Sequence, residues 1–479
     1  MTPEERHALL KELARLPSDA DAVAREDIRR VFLPLPRHAL ALRPEVFIVR
    51  GDRGAGKTAM FNFLRETSKD PKLLDRVFPN AHLEQVAWLE GFSANNTNHP
   101  HTDNLDAAAL DDDQSIRIMW SAHLACRLIE DRGLSAGTLA ALYDRWHDNR
   151  NDVNAWVPVA QQVLPQLTQW LDSLDAGLSS PLCVTYDHLD RIAVKDPPLR
   201  QRYVGGLLAL WGGLGIRYRW LRPKIFIRED ILQTSLVSFS DASKLRSRSV
   251  SLDWDKEALF RVLIRHAASV EPGLRIWIER GARKVPLDDD PVLGPLPPPL
   301  PETGAVSQKA FVDHIAGALM GDGAKKGYTY RWIPNRLQDA NVRVVPRSLL
   351  VLFASAADNA LQTGAKAKHE RLLTPQNLVG GLQRTSESRV AELLEEYKFV
   401  SRMHHLEGQT VLLERRDVEQ MLSRPYKGPD GLEDDGERVV DELVRIGVLS
   451  LRPNGRIDVP DIYRYGFKIK RKGGVAHPV

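Results

Sequence analysis

One short segment combines glycines, a lysine and a hydroxyl residue at a spacing that suits phosphate chemistry. It fits the pattern G-x-x-x-x-G-K-[ST], and its residues are Gly51, Asp52, Arg53, Gly54, Ala55, Gly56, Lys57 and Thr58. Glycines let the backbone turn tightly and direct successive N–H groups at phosphate oxygens. Lys57 would then reach the β- and γ-phosphates, and the Thr58 hydroxyl would ligate Mg²⁺. The alternative is a glycine-rich turn that happens to precede Lys-Thr.

The residues on either side of this segment favour the phosphate site. Val46–Val49 is a short apolar run, rich in β-branched residues, and predicts a buried parallel strand. Ala59–Leu64 continues as a helix, whose N-terminus attracts anions. A strand before the loop and a helix after it are the context that confirms the motif. We therefore predict a site for a nucleoside triphosphate with Mg²⁺, and ATP rather than GTP because the chain holds no Asn-Lys-x-Asp or Thr-Lys-x-Asp motif.

Phosphoryl transfer also needs a carboxylate near the metal, at the end of another strand. Leu182–Tyr186 predicts such a strand, and Asp187 follows it directly. Asp187 is thus the candidate that holds Mg²⁺, either directly or through water. Asp190, three residues later, could orient or deprotonate the attacking water. Alternatively, Asp190 caps the segment that follows, as aspartates often do.

An arginine follows the next predicted strand, Lys224–Ile227. Ligands of parallel sheets bind outside the carboxyl ends of the strands, so Arg228 should point toward the nucleotide. There it could sense or stabilise charge on the γ-phosphate. The alternative is a salt bridge from Arg228 to Glu229, Asp230 or the region of Asp187.

The composition is that of a folded protein of more than one domain. A chain of 479 residues is too long for one ordinary core, and 66 basic against 63 acidic residues give no argument for nucleic acid. The two cysteines, Cys126 and Cys183, predict buried thiols in a reducing compartment. The longest apolar run, Val204–Ile216, has 13 residues, fewer than the roughly 20 that span a bilayer. With no apolar segment near Met1 either, we expect a cytoplasmic protein without membrane contact.

Strands that alternate with helices predict an α/β domain with a parallel sheet. A polar stretch within it, Ser93–Asp113, predicts a long surface loop. We expect five regions along the chain: a helical lead-in at 1–44, a P-loop ATPase core at 45–283, a proline-rich linker or insertion at 284–306, a helical lid at 307–386, and a winged-helix-like domain at 387–479.

These residues resemble the AAA+ and STAND divisions of P-loop ATPases. Tyr186–Arg191, Tyr-Asp-His-Leu-Asp-Arg, is similar to the D-x-x-D-E Walker B motif of STAND proteins. It ends in Arg where that family has Glu, which leaves the identity of the catalytic base open. The chain also resembles a group of uncharacterised bacterial ATPases at Tyr186–Arg191, Asp241–Leu245 and Val459–Tyr463.

Origin-licensing AAA+ ATPases are similar in layout, with a P-loop core, a helical lid that carries a sensor arginine, and a winged helix. In that layout Val345–Phe353 corresponds to the lid helix, and the resemblance implies that Arg347 is the sensor-2 arginine that binds nucleotide. The alternative is a surface arginine at a helix N-terminus.

The C-terminal segment has the pattern of a winged helix. Gly436–Ile446 predicts an amphipathic helix, and Asn-Gly between Val448–Leu451 and Arg456–Val459 predicts a β-hairpin. Residues 452–472 hold seven lysines and arginines against two aspartates. Residues 436–472 could therefore bind duplex DNA. They could equally serve protein contacts or internal docking, with a solvated basic tail.

The sequence thus predicts an ATP-binding and ATP-hydrolysing protein that acts as a nucleotide-driven conformational switch. One alternative is a DNA-binding protein gated by ATP through its winged helix. Another is a nucleotide-binding scaffold with little turnover. A protein effector is a possible partner, and the chain could also form a homo-oligomer.

Overall fold

The computed structural model describes residues 1–23, 27–79, 81–108, 110, 112–236, 242–270, 272–280, 285, 287–298, 304–364 and 371–472. Two compact units are distinguished: the sheet unit, residues 24–28 and 34–252, and the helical unit, residues 1–23, 29–33 and 253–479.

The helices, in chain order, are α1 (Pro3–Ala14), α2 (Ile28–Val31), α3 (Pro36–Leu42), α4 (Lys57–Thr67), α5 (Pro71–Val77), α6 (Thr102–Asp106), α7 (Asp113–Arg132), α8 (Ala140–Asp148), α9 (Val153–Gln162), α10 (Leu164–Gly177), α11 (Pro197–Arg217), α12 (Glu229–Ser235), α13 (Ala242–Ser247), α14 (Lys256–Val270), α15 (Pro272–Arg280), α16 (Gly304–Ile315), α17 (Thr329–Leu337), α18 (Pro346–Thr363), α19 (Pro375–Glu396), α20 (Arg415–Leu422), α21 (Gly436–Arg445) and α22 (Asp461–Arg464). The strands are β1 (Ile48–Gly51), β2 (Ala87–Phe92), β3 (Leu182–Tyr186), β4 (Leu221–Arg228), β5 (Ser249–Ser251), β6 (Asp288–Asp290), β7 (Gly294–Leu296), β8 (Thr410–Val411), β9 (Leu413–Glu414), β10 (Ser450–Leu451), β11 (Arg456–Asp458) and β12 (Lys470–Arg471).

The sheet unit is built around five parallel strands in the order β2-β3-β4-β1-β5. Every residue of β3 is buried, as expected for a parallel strand that is covered on both faces. Gly51 pairs with Arg228, and Tyr186 pairs with Ile225. The carboxyl ends of β1, β3 and β4 therefore lie at the same edge of the sheet, where a ligand of a parallel sheet binds.

Two long helices cover this sheet and pack against each other. α7 contacts β2, and α11 contacts β4. The indoles of Trp120 on α7 and Trp211 on α11 are buried and pack edge-on against Tyr186 of β3. Trp120 also donates a hydrogen bond to the Tyr203 carbonyl at 2.9 Å. Burying a large apolar side chain contributes roughly 1.5–3 kcal/mol, so this core fixes the strands that carry the candidate site.

The predicted α/β core with a parallel sheet is confirmed. The strands predicted at Val46–Val49, Leu182–Tyr186 and Lys224–Ile227 occur as β1, β3 and β4, the first and the last with shifted bounds. The edge strand β5 was not predicted, because Ser-Val-Ser contains no apolar run. The predicted surface loop at Ser93–Asp113 is wrong in part: it contains α6 and buries Ser93, His99 and Leu105. Residues 109 and 111 of that loop lie outside the described residues.

The helical unit has a core of its own, to which α1, α14, α16, α18 and α19 contribute. Gly381 on α19 lies so close to α18 that a Cβ atom there would come within 2.8 Å of the Leu352 carbonyl oxygen. Glycine at this position therefore permits the two long helices to approach closely.

The end of the helical unit has a winged-helix-like arrangement. β9, α20, α21, β10 and β11 follow one another, and the strands pair antiparallel in the order β10-β11-β9. Gly455, in the predicted Asn-Gly turn, has a φ of 79°, which a glycine adopts without strain. The predicted helix and hairpin are both present, and Val439, Val440 and Leu443 of α21 are buried as its amphipathic pattern requires.

The proline-rich segment contains the short antiparallel hairpin of β6 and β7, and its residues 284, 286 and 299–303 lie outside the described residues. The chain leaves the sheet unit after Leu252, so that α14 and α15, included in the predicted core, belong to the helical unit. The five-part division as a whole stays a prediction.

Both cysteines are free and buried, as predicted, and burial raises the pKa of the Cys183 thiol to about 11. No helix in the described part of the chain combines the length and the hydropathy that spanning a bilayer requires.

Candidate functional site

The segment Gly51–Thr58 connects the end of β1 to the start of α4. Gly54 and Gly56 have φ angles of 81° and 94°, in the left-handed region that favours glycine. The Ala55 amide donates to the Asp52 carbonyl at 3.1 Å, which closes a tight turn. The loop thus leads directly into the N-terminus of an eleven-residue helix, whose first amides lack partners within the helix.

Lys57 is the first residue of α4 and is 9% exposed. Its ammonium donates to the carbonyls of Gly51 at 2.8 Å and Asp52 at 3.0 Å. The lysine is therefore held over the loop by backbone oxygens, which an anionic ligand could replace. Thr58, the next residue, is partly exposed at the same helix N-terminus.

Asp187 follows β3 and is 4% exposed. Its amide donates to the Phe92 carbonyl at 3.0 Å, which ties the exits of β2 and β3 together. Among the described residues, its Oδ2 atom has no hydrogen-bond partner. Burial raises the pKa of the carboxyl above its usual range, while the neighbouring His188 and Lys57 oppose that rise. A buried carboxylate oxygen without a partner is costly, and a bound cation or its water would satisfy it.

Two residues at this edge were missed by the sequence analysis. Ser93 follows β2 and is fully buried, and its Oγ lies 3.1 Å from Nδ1 of His188. His188 is 4% exposed, and its Nε2 lies 3.7 Å from Oδ2 of Asp187. The rule that singled out Asp187, a polar residue directly after a buried strand, applies equally to Ser93. Its burial was hidden by the polar residues that surround it in sequence.

Arg228 ends β4 and forms a two-point ion pair with its near neighbour Asp230. Nε and Nη2 donate to the two carboxylate oxygens at 3.1 and 2.7 Å. Nη1 lies 3.7 Å from Oδ2 of Asp190. Glu229, the other acid considered as a partner, instead accepts a hydrogen bond from Arg50 at 2.6 Å. The salt bridge that was the alternative for Arg228 is thus present, and it lies beside the Asp190 carboxylate.

Asp190 lies in the 3₁₀ turn Leu189–Arg191, and its side chain is 35% exposed. Its carbonyl accepts a hydrogen bond from Nη1 of Arg200 at 3.4 Å. Burial and the nearby charge of Arg228 lower the pKa of Arg200. Asp187, Asp190, Arg200 and Arg228 therefore form one group of charges at the carboxyl edge of the sheet.

Arg347 lies at the start of α18 in the helical unit. It donates to the Ser18 carbonyl at 3.1 Å and forms ion pairs with Asp19 at 3.3 Å and Glu392 at 3.2 Å. Its assignment as the sensor-2 arginine stays a prediction, and a nucleotide would have to replace these partners.

The basic C-terminal residues are largely engaged within the helical unit. Five of the seven pair with carboxylates: Arg452 and Arg471 with Asp458, Arg456 with Glu414, Arg464 with Asp461, and Lys468 with Glu407. The remaining two, Lys470 and Lys472, are exposed. Much of the positive charge predicted to meet DNA phosphates is thus paired with carboxylates of the same unit, at buried positions for Asp458 and Asp461 and at exposed positions for Glu414 and Glu407. Duplex binding through residues 436–472 stays a prediction.

In the described part of the chain, no three His, Cys, Asp or Glu side chains converge as metal ligands. Mg²⁺ in phosphoryl transfer is commonly bound by only one or two protein ligands together with substrate phosphates. Thr58 and Asp187 fit that donor set.

No protein-family model and no curated relative matches this sequence. Solved structures are similar over most of the chain. The Orc2 protein of Aeropyrum pernix, in its ADPNP–ADP complexes, is 11% identical with a TM-score of 0.37, over 92% of this chain and 91% of that one. The Walker-type ATPase of Pyrococcus abyssi is 13% identical with a TM-score of 0.37, over 95% and 99%. Cdc6p from Pyrobaculum aerophilum is 11% identical with a TM-score of 0.27, over 88% and 87%. Function must therefore be argued from this chain's own side chains.

Proposed function

We propose that this chain binds ATP with Mg²⁺, hydrolyses it, and uses the cycle as a conformational switch. The observation that carries the proposal is the meeting of two features at one edge of the sheet. One is the glycine loop with its lysine at the N-terminus of α4. The other is the buried carboxylate of Asp187, with an oxygen that lacks a partner among the described residues.

The loop would bind the triphosphate through its backbone. The first amides of α4 and the amides of the turn supply donors, and the helix dipole adds a partial positive charge. On binding, the Lys57 ammonium would exchange the Gly51 and Asp52 carbonyls for β- and γ-phosphate oxygens. An ammonium group binds an anionic phosphate oxygen more strongly than a neutral carbonyl oxygen, because both partners are then charged, so the exchange favours the bound state.

Thr58 and Asp187 are the residues that would hold Mg²⁺. The ion, when bound, supplies positive charge that neutralises the phosphates during transfer. The hydrogen bond from the Asp187 amide to the Phe92 carbonyl would hold the backbone of Asp187, and with it the carboxylate, in place.

Water activation falls to Asp190 in this proposal. Its carboxylate is partly exposed and can accept a proton or a hydrogen bond from water. Arg228, whose Nη1 lies 3.7 Å from that carboxylate, would add positive charge at the γ-phosphate. Asp230 holds the guanidinium by two bonds, which limits the directions it can take.

The test is steady-state hydrolysis of ATP by the full chain, with Lys57→Ala as the disabled variant. Removing one preorganised charge at a phosphate typically costs roughly 100-fold or more in turnover. Lys69→Ala, which removes an exposed lysine just beyond α4, is the matched control and should hydrolyse ATP normally. Normal turnover by a folded Lys57→Ala variant would refute the proposed site.

A further inference from the structure

Ser93, His188 and Asp187 form a buried polar row across the exits of β2 and β3. The three side chains are 0%, 4% and 4% exposed, respectively. The Asp187 amide is hydrogen-bonded to the Phe92 carbonyl, so the two exits are held side by side. The side chain next to the Asp187 carboxylate on its buried side is therefore the His188 imidazole.

The backbone of His188 is in the left-handed conformation, with φ 60° and ψ 25°. Glycine and asparagine adopt this region most readily, and a larger residue there needs a compensating interaction. The imidazole packs edge-on against Phe61 of α4, with 6.2 Å between the ring centroids. Its Nδ1 is bonded to Ser93. The turn thus directs this ring into the space between α4 and the two strand exits.

The tautomer of His188 and the direction of its hydrogen bond with Ser93 are linked, because the hydroxyl can either donate to Nδ1 or accept from it. If Oγ–H donates to Nδ1, the proton of the neutral ring is on Nε2, the nitrogen that lies 3.7 Å from Oδ2 of Asp187. The opposite tautomer would set the Nε2 lone pair against the lone pairs of a carboxylate. Electrostatics therefore favours the form in which Nε2–H lies toward Asp187.

A separation of 3.7 Å is too long for a hydrogen bond. The N–H group attracts the carboxylate from one side without satisfying Oδ2, which keeps a lone pair for a ligand. An outer partner that orients a ligating carboxylate is common at metal sites.

We propose that Ser93 and His188 are positioning residues for the Asp187 carboxylate. Ser93 fixes the tautomer of His188, and His188 holds the carboxylate in the orientation that receives Mg²⁺ with the nucleotide. Neither residue touches the nucleotide in this proposal. The inference rests on the proposed function and adds to it two residues and a defined role for each.

The experiment measures ATP affinity of the full chain in EDTA and across a range of Mg²⁺ concentrations, for the wild type, Ser93→Ala and His188→Asn. Asparagine tolerates the left-handed backbone but is too short to link Ser93 with Asp187. Loss of an outer partner typically weakens metal binding by about 10- to 100-fold. The Mg²⁺ concentration at which the effect of Mg²⁺ on ATP affinity is half-maximal should therefore be at least about 10-fold higher in both variants than in the wild type. Their ATP affinity in EDTA should stay within about 2-fold of wild type, because the phosphate loop is intact.

Two further variants separate this role from a structural one. Ser235→Ala removes another fully buried serine of the sheet unit and should leave the Mg²⁺ dependence unchanged. Ser93→Thr keeps the hydroxyl and should restore the wild-type dependence. Should Ser93→Ala fail to fold, Ser93→Cys replaces it, because a thiol is only a weak donor.

An unchanged Mg²⁺ requirement in Ser93→Ala and His188→Asn would overturn the inference while leaving the proposed function intact. A loss of ATP affinity that is as large in EDTA as in Mg²⁺ would also overturn the inference, because such a loss would indicate a general disturbance of the site. If wild-type protein bound no ATP at all, the proposed function itself would fail.

Discussion

The charge of Lys57 acts on the carboxyl of Asp187, although the strands that precede them, β1 and β3, are separated by β4. Burial raises the pKa of the Asp187 carboxyl, and Lys57 is one of the groups that oppose the rise. A cation and an acid from distant parts of the sequence thus meet at the carboxyl edge of the sheet. This is the relationship that phosphate and metal binding require of the two residues.

Replacing each of the two aspartates by asparagine should impair hydrolysis in a different way. Asp187→Asn should abolish Mg²⁺-dependent hydrolysis, because a neutral amide is a poor ligand for a hard cation. Asp190→Asn should keep nucleotide affinity but slow hydrolysis by roughly 100-fold or more, the usual contribution of a general base. Binding and turnover assays on the same preparations make the comparison. If Asp190→Asn hydrolyses ATP at the normal rate, Asp190 is not the base.

Arg347→Ala should reduce the preference of the protein for ATP over ADP. A sensor arginine contacts the γ-phosphate, so its removal weakens binding of the triphosphate and spares the diphosphate. Competitive titrations with the two nucleotides measure the ratio of affinities. Arg384→Ala, a partly exposed arginine on α19, is the control. An unchanged ratio in Arg347→Ala would leave the ion pairs with Asp19 and Glu392 as its whole role.

The stability of the sheet unit should fall as the pH drops below about 6.5, because of two buried histidines. Burial lowers the pKa of His99, and burial lowers that of His123 still further. The Trp146 indole donates to Nδ1 of His123 at 3.2 Å, and Nε2 of His99 lies 3.2 Å from Oε1 of Glu90. The Glu90 carboxylate opposes the lowering for His99, but burial is the larger effect. Both rings therefore bind protons less readily in the folded state than in the unfolded chain, which takes up protons below the ordinary pKa of histidine.

With folded pKa values below the unfolded ones, this stabilisation is complete above about pH 6.5 and is lost as the pH falls. The slope is at most about 1.4 kcal/mol per pH unit for each ring. Urea unfolding at pH 7.5 and 5.5 measures it. His99→Gln should flatten the dependence, whereas His101→Gln, at an exposed histidine, should not. Equal slopes for wild type and His99→Gln would contradict this origin of the pH dependence.

The features of this protein that could be predicted from the sequence are those that depend on a local pattern of residues. The glycine loop, the acid after a buried run and the Asn-Gly hairpin each follow from a few adjacent residues. The positions that escaped prediction depend on distant partners. His99 is buried because Glu90 and His123 reach it, and Ser93 because the exits of β2 and β3 are paired. The ion pairs of Asp458 with Arg452 and Arg471 likewise arise only in the folded domain.

Those ion pairs lead to a prediction about duplex DNA. Five of the seven basic residues at 452–472 pair with carboxylates. If only Lys470 and Lys472 neutralise phosphates, the slope of log K against log salt should not exceed about 2, since each contact contributes about 0.9. Titration of a fluorescent duplex from about 50 mM salt upward, with and without ATP, measures the slope. A slope of 5 or more would mean that the ion pairs open for DNA.

Phosphate binding by residues 51–58 can be measured by calorimetric titration with ATP, ADP and adenosine in the presence of Mg²⁺. Affinity should come mainly from the phosphates, so that ATP and ADP bind at least roughly 100-fold more tightly than adenosine, equivalent to about 2.7 kcal/mol. In Lys57→Ala that advantage should largely disappear, whereas Lys69→Ala should keep it. Equal affinities of the wild type for all three ligands, or an unchanged advantage of ATP in a folded Lys57→Ala variant, would show that residues 51–58 do not bind the phosphates.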